Sequence, residues 1–489
     1  MFLKAGALSL ALLLASRVFG LLRESAQAAA FGASGLADVA VLMLTLPDWL
    51  TGVLASGALA YVLVPAWAGE TRARVTASER AVARILLALA AALVVALVLA
   101  RAFVVSHLAG GVPASMVPTA TTALTWSAFA LPAALLASLW TTRLQHEHDF
   151  TGMYAANLVV NAVLILAILV AAPRVIQGDA LQWLGGGLLA AMALRLAWLR
   201  WRMRPALQDP ADPGAGRIAL PAPPVWLWAI LSAGLPLALP FVARSVASQA
   251  GEGALATFNY AWKLVELPLM LAIQLVATLA FPAIAKGMAA SDEAGTARAV
   301  QGAIALAWTL ACAAAAALLV GSPAIAQLLF GWGRMHPEAL ERVAQWGAIG
   351  AWGLLPQALI AVALTVLAAG GRMRVAVLAY GLALVLLLVA ARLGVADGAT
   401  LMGLLNLLLG AVAVAVLRAL GPQLRAWMPW RALAIAFASL AVLAILSLSL
   451  PMPETLSLAA GLATAVAAAA LVMGLTWWGS PELRAALAR

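Results

Sequence analysis

Four basic residues lie within or near the ends of long apolar segments of the chain: Arg17, Arg23, Arg244 and Lys263. A charge at the centre of a bilayer costs about 2.5–3.5 kcal/mol on insertion scales, and such residues usually face a cavity. Arginine stays protonated and binds phosphate through a planar fork of donors. The residue types therefore predict a site for a multiply charged anion, such as a lipid-linked diphosphate. The simpler alternative is that these side chains extend to the membrane surface.

Spacing limits how these four cations can act together. Arg17 and Arg23 are six positions apart in the chain, so on one helix they point about 120° away from each other. We expect them to form two levels or two walls of a cavity, with Arg244 and Lys263 facing them from the second half of the chain.

A few acidic residues lie close to these cations in the sequence. Asp38 opens the second apolar segment, where a carboxylate also stabilises the helix dipole. Asp48 follows Pro47 within the same segment. Glu266 follows Lys263 at a spacing that puts both on one helix face. This last pair is either a structural salt bridge or one that a substrate displaces.

The composition indicates the kind of protein that holds these charges. Of 489 residues, 65% are hydrophobic and 10% are charged, against about a quarter charged in soluble domains. The mean hydropathy is +1.03. These values exclude a soluble enzyme, a disordered chain and a nucleic-acid-binding domain. They predict an all-α polytopic membrane protein, because a helix satisfies its own backbone hydrogen bonds in lipid.

The apolar segments are long enough for helices that cross a bilayer, which needs roughly 20 residues per span. We expect about 14 such helices, at 5–30, 36–66, 81–107, 119–145, 152–172, 180–201, 224–249, 255–284, 300–320, 340–368, 374–394, 398–419, 430–450 and 455–478. The longest polar break predicts a cytoplasmic linker at 202–223. It separates a first lobe, 1–201, from a second, 224–419, and two further helices follow in 430–478.

The basic residues also predict the orientation of the chain. With both termini in the cytoplasm, most of the 29 lysines and arginines fall on the cytoplasmic side, among them Arg143 and Arg195. This excess explains the net charge of +10 without a nucleic-acid partner.

An internal repeat is visible in the spacing of arginines and prolines. The same number of residues separates Arg23 from Pro47 and Arg244 from Pro268. The repeat is parallel, because both lobes begin on the cytoplasmic side. A proline in mid-helix removes a hydrogen bond and kinks the helix. We expect Pro47 and Pro268 to act as hinges, and the alternative is that they are simple packing kinks.

No motif for ATP binding, a serine nucleophile or zinc proteolysis is present. We therefore expect no catalytic residue, no metal site and no cofactor. The one cysteine, Cys312, can form no intramolecular disulfide. Transport would be driven by an ion gradient of Na+ or H+ or by the membrane potential, which is worth about 2.3 kcal/mol per charge per 100 mV.

Several stretches resemble the MurJ (MviN) lipid II flippase family. Ser16–Glu24 is similar to its SRxxGxxRd opening, Phe31–Asp38 resembles its FGAxxxxDA segment, and Asn259–Pro268 resembles its NYAxRLxxLP stretch. The resemblance covers the whole plan of spans. It implies the fold of the MOP (multidrug/oligosaccharidyl-lipid/polysaccharide) exporters, with two pseudo-symmetric six-helix lobes around a central cavity. It also implies that the helices in 430–478 form a groove for a polyprenyl tail.

The resemblance extends to individual residues, with departures. Arg17, Arg23 and Asp38 match family residues that bind substrate, and Lys263 stands where the family usually has arginine. The family typically has a basic residue where this chain has Thr51-Gly52. An aspartate common in the family is replaced by Ala243, next to Arg244. These departures bear on which headgroup the site holds.

The sequence thus predicts a flippase, not an enzyme, that moves lipid II across the bacterial inner membrane by alternating access during peptidoglycan synthesis. We expect a monomer whose partners are lipid II and the bilayer. The predicted substrate-binding residues are Arg17, Arg23, Asp38, Arg244, Lys263 and Glu266. The alternatives are a flippase for another polyprenyl-diphosphate-linked glycan and a multidrug antiporter. A polytopic glycosyltransferase would need acidic residues in a sizeable outer loop, and the predicted outer loops are short.

Overall fold

The computed structural model describes residues 2–204, 218, 220–449 and 457–487, and within them the chain forms helices and no β-strand. Twelve helices of this part are long and apolar enough to cross a membrane, and a bent pair, Pro337–Ala351 with Leu354–Ala369, raises the number to 13. The 30-residue helix Phe2–Phe31 lies outside that count. The expected total of 14 spans therefore needs both the bent pair and this first helix. The predicted all-α, multi-span fold class is confirmed.

The chain divides into two compact units, Met1–Ala256 and Thr257–Arg489. The helices that begin in the first unit are α1 (Phe2–Phe31), α2 (Gly35–Val53), α3 (Leu59–Trp67), α4 (Arg72–Leu99), α5 (Arg101–Leu108), α6 (Val117–His146), α7 (Phe150–Ala171), α8 (Ala180–Arg202), α9 (Pro223–Ala247) and α10 (Ala254–Pro268). The second unit continues with α11 (Gln274–Ala289), α12 (Glu293–Phe330), α13 (Pro337–Ala351), α14 (Leu354–Ala369), α15 (Arg374–Arg392), α16 (Gly398–Ala419), α17 (Leu424–Trp427), α18 (Trp430–Ser449), α19 (Leu458–Gly479) and α20 (Pro481–Leu487).

The division into units does not follow the predicted linker. Helix α9, which the sequence places at the start of the second lobe, packs within the first unit against α2 and α3. Most of the predicted linker at 202–223, and residues 450–456 of the predicted C-terminal pair, lie outside the described residues. The lobes at 1–201 and 224–419 stay a prediction.

Helix α6 organises the first unit, because it packs against α2, α4 and α8. Leucines of α6, such as Leu131 and Leu139, meet Leu63 and Trp67 of α3 and Val82 of α4 in one buried cluster. Small buried residues elsewhere on α6 let neighbouring helices approach closely, as is usual in membrane bundles. The first unit is therefore a packed scaffold that fixes α2 and α8 in place.

Both helices that carry a predicted hinge contain a π-helical turn. In the first, α2 runs on through Pro47 and gives way to α3 at the turn Leu54–Ala58. In the second, α10 ends at Pro268 and the turn Leu269–Ile273 follows directly. Such turns often mark functional sites. Their shared presence agrees with an internal repeat, although the first turn comes one and a half to two helical turns after its proline.

Helix α12 organises the second unit. Its 38 residues extend about 57 Å, beyond the roughly 30 Å of a bilayer core. It packs against α11, α13, α14, α18 and α19. The approach to α19 is close, since a Cβ added at Gly321 would meet Ala465, and one added at Gly461 would meet Ala324. The predicted C-terminal helices are thus anchored on α12, and their role as a lipid-tail groove stays a prediction.

Candidate functional site

Arg23 forms the centre of a charged cluster inside the first unit. Arg23 is buried, with 8% of the residue exposed. The guanidinium donates to Oδ2 of Asp48 on α2 and to Oε1 of Glu24, both at 2.8 Å. A buried charge needs partners of this kind, because its desolvation is costly. The structure thus satisfies the Arg23 cation with two carboxylates from within the chain.

Arg17 lies on the same helix in a different environment. It is exposed, whereas Arg23 is buried, as their angular separation predicts. Helix α1 packs here against α7, and the Arg17 charge lies within electrostatic range of Tyr154 on α7. Arg17 therefore carries an exposed charge on α1, whereas the charge of Arg23 is buried inside the first unit.

Arg244 is connected to the Arg23 cluster through aromatic rings. Its Cζ atom lies 5.4 Å from the centroid of the Phe241 ring on α9. Phe241 in turn meets Trp49 on α2, with ring centroids 5.5 Å apart. Trp49 follows Asp48, the carboxylate bound by Arg23. Within the first unit, Arg23 and the Arg244–Phe241 pair therefore both contact α2, at the neighbouring residues Asp48 and Trp49.

Asp38 is completely buried, with a relative exposure of 0%, and both its oxygens accept backbone hydrogen bonds. Oδ2 accepts from the N–H of Gly253 and Oδ1 from the N–H of Ala256, each at 2.8 Å. These donors belong to the start of α10, so Asp38 caps that helix from α2 and offsets its dipole. In this arrangement no Asp38 oxygen is left for a ligand without breaking the cap. Its substrate role stays a prediction.

The neighbouring loops close this end of the first unit tightly. Glu252 Oε1 accepts from the N–H of Gly35 at 2.9 Å, so the two helix starts are tied to each other by reciprocal caps. Gly253 has φ +75, and a Cβ there would meet the Ala33 carbonyl. A Cβ at Gly111 would likewise meet the Ser248 carbonyl. Glycine is required at these positions because backbone segments touch.

Lys263 and Glu266 form an ion pair on α10, with Nζ 2.6 Å from Oε2. Both side chains are partly exposed, at 26% and 30%. The pairing that the spacing predicted is confirmed. Because both side chains are partly exposed, a ligand can reach the pair and compete with either partner.

Arg195 is the residue that sequence reasoning missed. The sequence places it among the basic residues of the cytoplasmic side, whereas the structure buries it inside the bundle, seven positions before the end of α8 and 4% exposed. The pattern of α8 contained the signal, because Arg195 shares the buried stripe of Leu184, Leu188 and Leu199. Arg143 was grouped in the same way, yet it is 1% exposed and pairs with Glu147 at 2.8 Å.

The chain matches a known protein family over most of its length. The sequence model of the family described as "Lipid II flippase MurJ" matches residues 27–478. The chain belongs to the MurJ family. Among curated members, it is 30% identical over 359 residues to the "Probable lipid II flippase MurJ" of Rhizobium meliloti (strain 1021). That alignment covers 70% of this chain and 65% of the relative, so the match spans slightly less than two thirds of that protein.

Solved structures show the same fold. A structure described as lipid II flippase MurJ in an inward closed conformation matches with a TM-score of 0.76 at 12% identity, covering 96% of this chain and 99% of that chain. A multidrug resistance MATE family transporter of the MOP superfamily, in an inward-facing conformation, matches with a TM-score of 0.65 at 13% identity, covering 87% of this chain and 95% of that chain. The predicted MOP exporter fold is confirmed.

Membership of the MurJ family places the chain among multi-span membrane transporters. The chemistry of the Arg23 cluster fits such a role, because it holds a buried cation on carboxylates that a stronger anion can replace. Within the described part of the chain, no group of three His, Cys, Asp or Glu side chains is placed to hold a metal ion.

Proposed function

We propose that this chain moves lipid II from the inner to the outer leaflet of the bacterial cytoplasmic membrane by alternating access. The observation that carries the proposal is the Arg23 cluster, a buried guanidinium held by Asp48 and Glu24 inside a membrane-spanning unit. A diphosphate also accepts charge-assisted hydrogen bonds from a guanidinium and carries more charge than a carboxylate, so it can displace Asp48. Family membership supports lipid II as the diphosphate, because the matching family is described by that substrate.

Within this proposal the expected substrate residues keep their roles. Arg17 and Arg244 supply further positive charge in the first unit, and Lys263 with Glu266 supplies an exchangeable pair in the second. Asp38 acts indirectly, because it caps α10 and is released when that end of the first unit opens. Pro47 and Pro268, with the π-turns that follow them, serve as hinges.

The remaining parts of the proposal follow from charge distribution. Both termini lie in the cytoplasm, because the basic residues concentrate there. No ATP-binding motif is present in the sequence, so a Na+ or H+ gradient or the membrane potential drives the cycle. The chain acts as a monomer, without a cofactor and without chemical conversion of the lipid.

Genetic complementation tests the proposal. The cell's own lipid II flippase is depleted and this chain is expressed, with Arg23→Ala as the inactive control and membrane insertion checked for both. We expect growth with the natural chain and none with the control. Failure of the inserted natural chain to restore growth would refute the lipid II assignment.

A second candidate is a flippase for another polyprenyl-diphosphate-linked glycan. Lys263 supports it, since an ammonium lacks the bidentate fork that arginine presents to phosphate. Thr51-Gly52 also supports it, because it lacks the cation that is typical of the resembling family. Competition by other polyprenyl-diphosphate glycans against lipid II on the purified chain separates the two. Lipid II should compete at least ten times better than any other glycan if it is the substrate, a gap of about 1.4 kcal/mol.

A further inference from the structure

Arg195 is a buried cation for which the function described above has no use. It is 4% exposed, and its Nε is enclosed without a hydrogen-bond partner. Among the described residues, no hydrogen bond and no ion pair within 4.0 Å involves Arg195. A buried charge without a partner is destabilising by several kcal/mol unless another group compensates it. Arg143, which is as buried, has its partner in Glu147 at 2.8 Å.

Asp48 is the acidic residue whose charge acts on Arg195. Its carboxylate lies within electrostatic range of the Arg195 guanidinium. Each also lies at a similar distance from the start of its helix. Asp48 comes 13 positions after Gly35 in α2 and Arg195 comes 15 after Ala180 in α8, which is about 20 Å and about 22 Å along their axes. In the predicted topology both helices start at the outer face, and α2 contacts α8.

Asp48 is therefore one carboxylate between two arginines. It is bonded to Arg23 at 2.8 Å, and its side chain is 41% exposed, so it has room to change rotamer. Arg23 is also paired with Glu24, whose side chain is buried, with 7% of it exposed. If an anion took the place of Asp48 on Arg23, the released carboxylate would repel that anion unless another cation neutralised it.

We propose that Arg195 is a positioning residue that receives Asp48 when a diphosphate binds Arg23. The inference rests on the proposed function, because it requires an anionic lipid headgroup at Arg23. With Asp48 on Arg23, the site is closed to anions. With Asp48 on Arg195, the site is open and no carboxylate remains unpaired. Arg195 thus sets the affinity for the diphosphate without touching it, and it supplies from α8 the positive charge that Thr51-Gly52 does not provide on α2.

A double-mutant cycle tests this handover on the purified full-length chain. Affinity for lipid II and for undecaprenyl diphosphate is measured for the natural chain, Arg195→Met, Asp48→Asn and the double variant. Arg195→Met should weaken binding about tenfold, because Asp48 then stays on Arg23, and a coupling of this size is typical of residues in one charge network. Asp48→Asn should bind at least as well as the natural chain. In the double variant, the loss of Arg195 should have no effect.

Controls separate the handover from simpler roles. Arg200→Met removes an exposed arginine of the same helix and should leave both affinities unchanged. Arg195→Lys keeps the charge and should bind within about threefold of the natural chain. Arg195→Gln, which also removes the charge, replaces Arg195→Met in the cycle if that variant is poorly folded. An equal loss from Arg195→Met with and without Asp48 would overturn the proposal, since it indicates direct contact or general damage. No loss in the natural background would overturn it as well.

The two probes keep this test distinct from that of the proposed function. If the chain binds undecaprenyl diphosphate but does not bind lipid II, the lipid II assignment is wrong, and the double-mutant cycle still decides the role of Arg195. Binding of neither lipid by the folded chain would overturn both. Binding of both, with independent effects of Asp48→Asn and Arg195→Met, would overturn the handover alone.

Discussion

The guanidinium of Arg23 on α1 and the carboxylate of Asp48 on α2 form an ion pair of 2.8 Å within the first unit. The pair joins α1 to α2, which lies within the residues that the MurJ family model matches, and it lies beside a second carboxylate, Glu24. The two carboxylates offset the charge of the buried guanidinium from within the chain. In the proposed function, they occupy Arg23 when no substrate is bound.

Arg23 variants should separate charge from fork geometry. Arg23→Ala removes the guanidinium that pairs with Glu24 and Asp48, so it should lower stability by about 3–5 kcal/mol and abolish lipid II binding. Arg23→Lys should insert and remain folded but bind lipid II at least tenfold more weakly, because an ammonium lacks the planar fork that binds phosphate through two parallel bonds. Melting in detergent and lipid binding measure the two effects. Unchanged binding by Arg23→Lys would show that charge alone suffices.

Asp38→Asn should weaken the closed end of the first unit. An amide presents one acceptor where two N–H groups are now bound, so one of the two caps on α10 is lost. We expect a loss of about 1–2 kcal/mol, the usual value of a helix cap, seen as a lower melting temperature. Glu252→Gln is the matched control, since Glu252 is exposed and accepts one bond from the N–H of Gly35. Equal effects of the two variants would contradict the assigned importance of Asp38.

Gly253→Ala tests the contact between the two loops at the same end. Both Gly253 and Gly178 have positive φ, at +75 and +81, but a Cβ at Gly178 meets nothing within 4 Å. Each alanine therefore carries a left-handed backbone cost of roughly 1–2 kcal/mol, and Gly253→Ala adds a clash with the Ala33 carbonyl. We expect the melting temperature to fall more for Gly253→Ala. A similar fall for both would mean that the loops separate easily.

Arg17→Ala tests whether Arg17 belongs to the substrate site. Arg17 is exposed, so its removal should leave folding within about 0.5 kcal/mol of the natural chain. A diphosphate flippase should nevertheless lose complementation, because one of its substrate cations is missing. Growth that is fully retained with Arg17→Ala would remove Arg17 from the substrate site, whereas a drug antiporter would not restore growth even with the natural chain.

Lys263 variants test the exchangeable pair of the second unit. Lys263→Arg keeps the charge and adds a fork, so it should support growth as well as the natural chain does. Lys263→Gln should reduce growth while leaving stability within about 1 kcal/mol, because the pair with Glu266 is partly exposed. Complementation and melting are compared for the two. Full activity of Lys263→Gln would remove Lys263 from the substrate site.

The sequence predicted the membrane fold and most of the charged site for identifiable reasons. Apolar runs report helices directly, since lipid allows little else, and the Lys263–Glu266 pair follows from local spacing. The capping of α10 by Asp38 could not be predicted in this way, because its partners lie more than two hundred residues away. Local spacing carries no signal for a contact at that distance.

Arg195 shows a second limit of sequence reasoning. In the sequence, a basic residue near the end of an apolar segment gives the same pattern whether its side chain extends to the cytoplasm or points into the bundle. The helix face on which the residue lies separates the two cases. For Arg195, that face is recognised only from the positions of the buried leucines of α8. The kink provides a third example, because Pro47 predicts a bend at its own position while α2 stays regular until the turn at Leu54–Ala58.

The most direct test of the central claim is the amount of lipid II in the outer leaflet. Cells depleted of their own flippase express this chain or its Arg23→Ala variant, and a membrane-impermeant enzyme that cleaves lipid II is added outside. We expect lipid II to be cleaved in cells with the natural chain and to be protected from cleavage in cells with Arg23→Ala. Protection of lipid II in both, with normal amounts of the natural chain in the membrane, would contradict that claim.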